Sequence, residues 1–299
     1  MPGPVKRSAD LPRESTTPQH ATPEPAPWKG PTAEHPGGDR GRFGNAGRAS
    51  AERDPGPPLP PVARVPPWRV GLLAARANAV PGLLLTVFAV GLLLSYWNLP
   101  AVEAALQRVG TWKLRGGFAF SAVSTALFGG IIPGLVQRAR PLLRHTMPWR
   151  HLAFLTLFWA YKGVEVDLLY RLQADWFGNG QGLGTILPKV AVDQGLYVPL
   201  LAVPPTALAY AFKDADLSLR RTLAPIHRQG LGRWVYEVAF PLLLSNWGVW
   251  IPAVVVIYCL PLPLQLPMQN LVLCFWSLLL ILQVRPADVE PDRAGQRGI

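Results

Sequence analysis

The chain has 299 residues, 49% of them hydrophobic and only 16% charged, with a mean hydropathy of +0.20. Ordinary soluble domains carry about 25% charged residues, so apolar blocks separated by basic loops argue for a polytopic membrane protein. The formal charge of +11 fits arginines in short loops that set topology and meet anionic headgroups, and argues against a nucleic-acid partner.

Residues 1–67 are rich in Pro, Gly, Ala, Thr and Arg and poor in Val, Ile and Leu. Such a stretch cannot bury enough apolar area to offset ordering entropy, so a disordered tail is expected. It holds Asp10, Glu14, Glu24, Glu34, Asp39, Glu52 and Asp54, whereas an organelle transit peptide is acid-poor.

The first apolar segment is Val80–Trp97, which ends on the interfacial aromatics Tyr96 and Trp97. Residues 68–110 are read as an extra N-terminal membrane helix with its flanks. The second segment, Phe118–Val136, carries Ser121, Ser124, Ala126, Gly129 and Gly130, small residues that suit close helix packing in lipid. Arg108, Lys113 and Arg115 fall in the loop before it, and Arg138, Arg140, Arg144 and Arg150 follow it. His145 and His151 lie among these arginines and read as interfacial.

The third segment is ambiguous. His151–Tyr161 is apolar, but Lys162, Glu165 and Asp167 interrupt it. It crosses with those charges in a protein interior, or it continues as an amphipathic surface helix with Val164, Leu168, Leu172 and Trp176 as its apolar stripe. Asp167 and Arg171, four apart, can pair. Gly178–Gly184 reads as a flexible loop: Leu183 stands where GxGxxG needs its third glycine, and no buried strand precedes it.

The fourth segment, Ile186–Phe212, is long enough to cross a bilayer yet contains Lys189, Asp193 and Gln194, with Pro199, Pro204 and Pro205 inside. Charges at the bilayer centre cost about 2.5–3.5 kcal/mol, so such groups are functional or hidden by pairing. Lys189 and Asp193 are four apart and share a helical face, so they are expected to pair. A polar, cytoplasm-like loop follows, and then the segments Val238–Tyr258 and Leu262–Val284; residues 285–299 form a polar tail. The Lys/Arg balance of six crossings puts both termini on the cytoplasmic or equivalent side.

Several landmarks now fall in one order. Trp112-Lys113-Leu114 opens a helix, followed by Gly163 and Tyr170, then Lys189…Asp193-Gln194…Pro199, then Asn246-Trp247-Gly248-Val249-Trp250 with Pro252, and last Trp276. Residues 111–284 thereby resemble the Mpv-seventeen / 22-kDa peroxisomal membrane protein family. Departures are Gly129-Gly130 for the family's Gly-Asp, Val164 for its proline, Leu169 for its tryptophan, and the apolar Val254–Val256 for its polar residues. The resemblance implies an α-helical integral membrane protein of mitochondrial inner or peroxisomal membranes, with a small-solute channel role. The acid-containing tail makes a bacterial inner membrane the other expectation.

The expected fold is thus all-α: a polytopic bundle of about four to six membrane helices after a disordered tail. Lys189, Asp193 and Gln194, with Lys162, Glu165 and Asp167 as a facing wall, are the pore-lining candidates. The other reading makes Asp193 and Gln194 an interhelical clamp and the second cluster an exposed interfacial face. Trp247 and Trp250 read as an aromatic belt or helix packing, and Pro199 and Pro252 as fixed kinks. Cys259 and Cys274 lie in apolar runs without Cys/His clusters, so no metal or cofactor is expected. GxSxG, HExxH and a Walker loop are absent, so no enzyme is expected. The expected partner is the lipid bilayer, with homo-oligomerisation open. The expected function is a pore for small hydrophilic solutes or, alternatively, a non-conducting scaffold or assembly factor.

Overall fold

A computed structural model describes residues 65–284. The expected tails, 1–67 and 285–299, lie outside the described residues save for 65–67. Among those described there is no strand, and eight helices follow one another. They are α1 (Pro67–Ala77), α2 (Ala79–Asn98), α3 (Pro100–Ala139), α4 (Trp149–Phe177), α5 (Leu183–Asp214), α6 (Leu219–Gln229), α7 (Leu231–Tyr258) and α8 (Leu262–Gln283). Prolines stand at the first turns of α1 and α3, where a missing N–H costs nothing. Gly178 ends α4 and Gly230 ends α6, both at positive φ, which glycine adopts without strain.

The five helices α2, α3, α5, α7 and α8 are long and apolar enough to cross a membrane. The outside is apolar as well as the core, unlike in a soluble protein. Leu83, Leu84, Val123, Leu157, Leu187 and Leu200 face outward, while Lys113, Lys162, Asp167, Lys189, Asp193 and Gln194 are buried. Only a solvent as apolar as the side chains makes that arrangement favourable.

The ambiguous third segment is one unbroken 29-residue helix, α4, about 43 Å long at 1.5 Å per residue. It packs against α3, α5 and α8, and α7 is packed in turn by α1, α2 and α5. Lys162 and Asp167 turn to the neighbouring helices while Leu157, Tyr161, Leu168 and Trp176 face outward. The amphipathic surface reading, which needs the charges outside, is therefore corrected. The close α3–α4 contact rests on glycine: a Cβ on Gly163 would come within 2.5 Å of Thr125 Oγ1, and one on Gly130 within 3.0 Å of Thr156 Cα.

Other expectations shift as well. The boundary at 110/111 falls inside α3, whose break is at Gly117, with φ 52° and ψ −131°. Only glycine accepts that backbone readily, so the helix kinks there and continues. Residues 68–110 hold all of α2, most of α1 and the start of α3. The glycine loop is shorter than expected, since α5 begins at Leu183. The loop after the fourth segment contains α6. In α5 the stretch Asp193–Ala202 widens into a π-helix, as does Ala126–Ile131 in α3. Pro199 lies within that stretch and has no N–H to give, so the ordinary ladder cannot run through it.

Candidate functional site

The π-helical stretch turns Asp193, Gln194, Tyr197 and Val198 to one buried face. That face borders a cavity of about 660 Å³ lined by α3, α4, α5, α7 and α8. Along α8 the lining runs from Leu266 to Ile281, about 22 Å by helical rise. Its deep end, where all four residues are buried, is formed by Asp193, Gln194, Tyr170 and Val254; the other end is bordered by Gln137, Lys213 and Ile281.

Asp193 is 4% exposed and accepts one hydrogen bond on each oxygen, from Tyr258 Oη at 2.7 Å and from Gln194 Nε2 at 3.0 Å. Trp247 Nε1 donates to the Gln194 carbonyl at 2.9 Å, which joins α7 to α5. Trp247 and Trp250 pack on the core, so of the two roles expected for them helix packing is the one seen. Tyr170 donates to Gln269 on α8 and meets the Tyr258 ring edge-on at 5.5 Å. Lys162 Nζ donates to Glu165, to Tyr197 Oη at 3.1 Å and to the Leu201 carbonyl at 3.0 Å, and Tyr197 in turn donates to Glu165 at 2.7 Å. The Lys162 charge is therefore balanced by Glu165.

Of the six pore-lining candidates, Lys162, Asp193 and Gln194 border the cavity, while Lys189, Glu165 and Asp167 do not. The expected Lys189–Asp193 pair is absent: among the described residues Lys189 makes no ion pair, and its Nζ stands 5.9 Å from the Tyr258 ring centre. The Asp193 carboxylate takes the Tyr258 hydroxyl instead. Asp167 belongs to a separate node. It takes Lys113 Nζ at 2.9 Å, Ser121 Oγ at 2.7 Å and Arg171 Nε at 3.2 Å. Lys113, counted above among loop residues, is buried because α3 runs through Gly117 without stopping.

The motif residues sort the same way. Tyr170, Asn246, Trp250 and Trp276 border the cavity. Gly163 lets α3 approach α4. Pro199 and Pro252 lie inside helical stretches. Trp112 is exposed beside an apolar groove of about 640 Å³ between α2, α3 and the start of α8. Sequence reasoning missed Lys113, Tyr197, Tyr258, Gln269 and Asn270. The two amides stand mid-run in an apolar helix, a signal that was available. Asn270 accepts from Thr125 Oγ1 at 2.9 Å and donates to Ser124 Oγ at 3.0 Å, clamping α8 to α3.

No family profile, curated protein or solved structure matches this chain. Fold and site alone define its class, which is an α-helical integral membrane protein with a largely apolar cavity that a few buried polar side chains border.

Proposed function

We propose that the cavity is part of a conduit for small hydrophilic solutes across the membrane. The observation that carries this reading is the 660 Å³ space itself, bordered by Lys162, Asp193, Gln194, Tyr197 and Asn246 in helices whose outer faces are apolar. Polar side chains inside a membrane bundle are costly, and these five gather on one space. Six crossings, with α4 among them, return the chain to the side it started from. The loops between α3 and α4 and between α5 and α7, rich in arginine, then share one face, as the positive-inside rule favours. We read the chain as a divergent member of the Mpv-seventeen family on the order of its sequence landmarks, of which the Asp-Gln and Asn-Trp pairs meet through Trp247 and Gln194.

The non-conducting scaffold has its own support. The Asn270 clamp and the Asp167 node are satisfied as pure interhelical fasteners, and Val254 and Val256 are buried in the core. Solute release from proteoliposomes, together with planar-bilayer conductance, separates the two. A conduit gives discrete openings, a selectivity changed by Asp193→Asn, and silence when Thr206→Trp fills the cavity. Well-folded protein that is silent in both assays, with Asp193→Asn merely less stable, leaves the scaffold.

A further inference from the structure

Two amide oxygens at the deep end of the cavity have no donor. Gln194 is 6% exposed; its Nε2 is committed to Asp193, because a carboxylate only accepts, so Oε1 is the atom left free. That Oε1 is buried without a hydrogen-bond partner. Asn246 Oδ1, on the facing α7, is buried and unpartnered too, and both residues border the cavity. An unmet buried acceptor is costly, so a pair of them beside an open volume marks a place where a donor belongs.

Charge narrows the choice of donor. Lys162 is balanced by Glu165, and Lys213, at the other end of the cavity, by Asp214. Asp193 has hydrogen bonds but no cation within ion-pair distance, and Lys189 does not border the cavity. The carboxylate is thus the one charge on the cavity wall, among the described residues, without an opposite charge beside it. Aromatic residues, whose ring faces attract cations, border the same space: Tyr170, Tyr197 and Trp250. Most of the remaining lining, Val166, Val198, Val254 and Leu266 among it, is apolar.

We infer that the deep end is a binding site for a protonated amine carrying an apolar or aromatic body. Its ammonium pairs with the Asp193 carboxylate beside these amides, and its body lies along the aliphatic and aromatic wall. An anion meets an uncompensated carboxylate there. A neutral alcohol satisfies one acceptor and leaves the charge. The inference rests on the cavity being accessible to solutes, as proposed above.

The test is a titration of the full-length protein in lipid nanodiscs with phenethylammonium and with 2-phenylethanol, read by tryptophan fluorescence. Charge-assisted hydrogen bonds predict that the amine binds about ten- to a hundredfold more tightly than the alcohol. Asp193→Asn is expected to abolish that preference. Asn246→Asp, which turns an unpartnered acceptor into a second anion, is expected to tighten the amine about tenfold, a gain that misfolding cannot imitate. Equal affinities for the two probes, or a preference that survives Asp193→Asn, overturn the inference. The titration needs no transport. Failure here with solute release intact removes only the amine site, whereas amine binding in a silent bilayer removes only the conduit.

Discussion

The node around Asp167 makes an asymmetric prediction. Asp167 and Lys113 are both almost wholly buried, at 4% and 6% side-chain exposure, and lie 2.9 Å apart. Asp167→Asn leaves the Lys113 ammonium buried with no counter-charge; removing one partner of a buried pair costs about 3–5 kcal/mol. Lys113→Met leaves Asp167 with Ser121 Oγ at 2.7 Å and Arg171 Nε at 3.2 Å. The Arg171 side chain is 43% exposed, so its pair is screened and recovers only part of the loss. Lys113→Met should therefore cost less, about 1–2 kcal/mol. The double variant should cost less than the sum of the singles by about 1.5–3 kcal/mol, since the buried unpaired charge no longer exists. Unfolding in mixed micelles, followed by tryptophan fluorescence, measures all three. Equal single costs that simply add would refute the reasoning, because they would mean that the two charges do not feel each other.

Other consequences follow from separate parts of the bundle. Gly163→Ala should destabilise by about 1–3 kcal/mol or more, because the new methyl meets the Ser121 carbonyl and lies 2.7 Å from Thr125 Cβ; thermal melting checks it. Asn270→Leu removes both bonds of the α3–α8 clamp, and intramembrane bonds of that kind average about 0.6 kcal/mol, so a loss of about 1–2 kcal/mol in the same melt is expected. In a background lacking Cys259 and Cys274, an impermeant maleimide should label Arg220→Cys and Gly180→Cys from opposite sides of sealed vesicles; labelling from one side would remove a crossing from the bundle.

The segments were legible because an apolar run of some twenty residues has few other uses. Val80–Trp97, Val238–Tyr258 and Leu262–Val284 each fall within about one residue of α2, α7 and α8 at most ends, the start of α7 being the exception. Asp193 and Gln194 were legible for the same reason, as polar groups where polarity is expensive. Their partners were not. The Lys189–Asp193 pairing followed from helical spacing alone, whereas the partner that Asp193 takes, Tyr258, comes from another helix. Lys113 was hidden by Gly116-Gly117, which reads as a break but acts as a kink inside one helix. Tyr197 and Tyr258 look like apolar filler in a sequence, and their hydroxyls acquire meaning only when another helix brings Glu165 or Asp193 to them.

Arg140 donates both to the Ile281 carbonyl and, at 3.2 Å, to that of Val284, where α8 ends, while Asn270 holds the middle of the same helix to α3. These two rivets are eleven residues apart, about 16 Å along one seam. A seam fastened twice can neither slide nor splay, so α3 and α8 form one plate, with α4 bolted on at Gly163 and Asp167. The leaf made of α5 and α7 is stitched together by Trp247 and Tyr258. It meets α4 through the Lys162 cation, and α1 rides on its outer edge. Lys162, with the Tyr197–Glu165 bond beside it, is thus the stitch that joins the leaf to the frame.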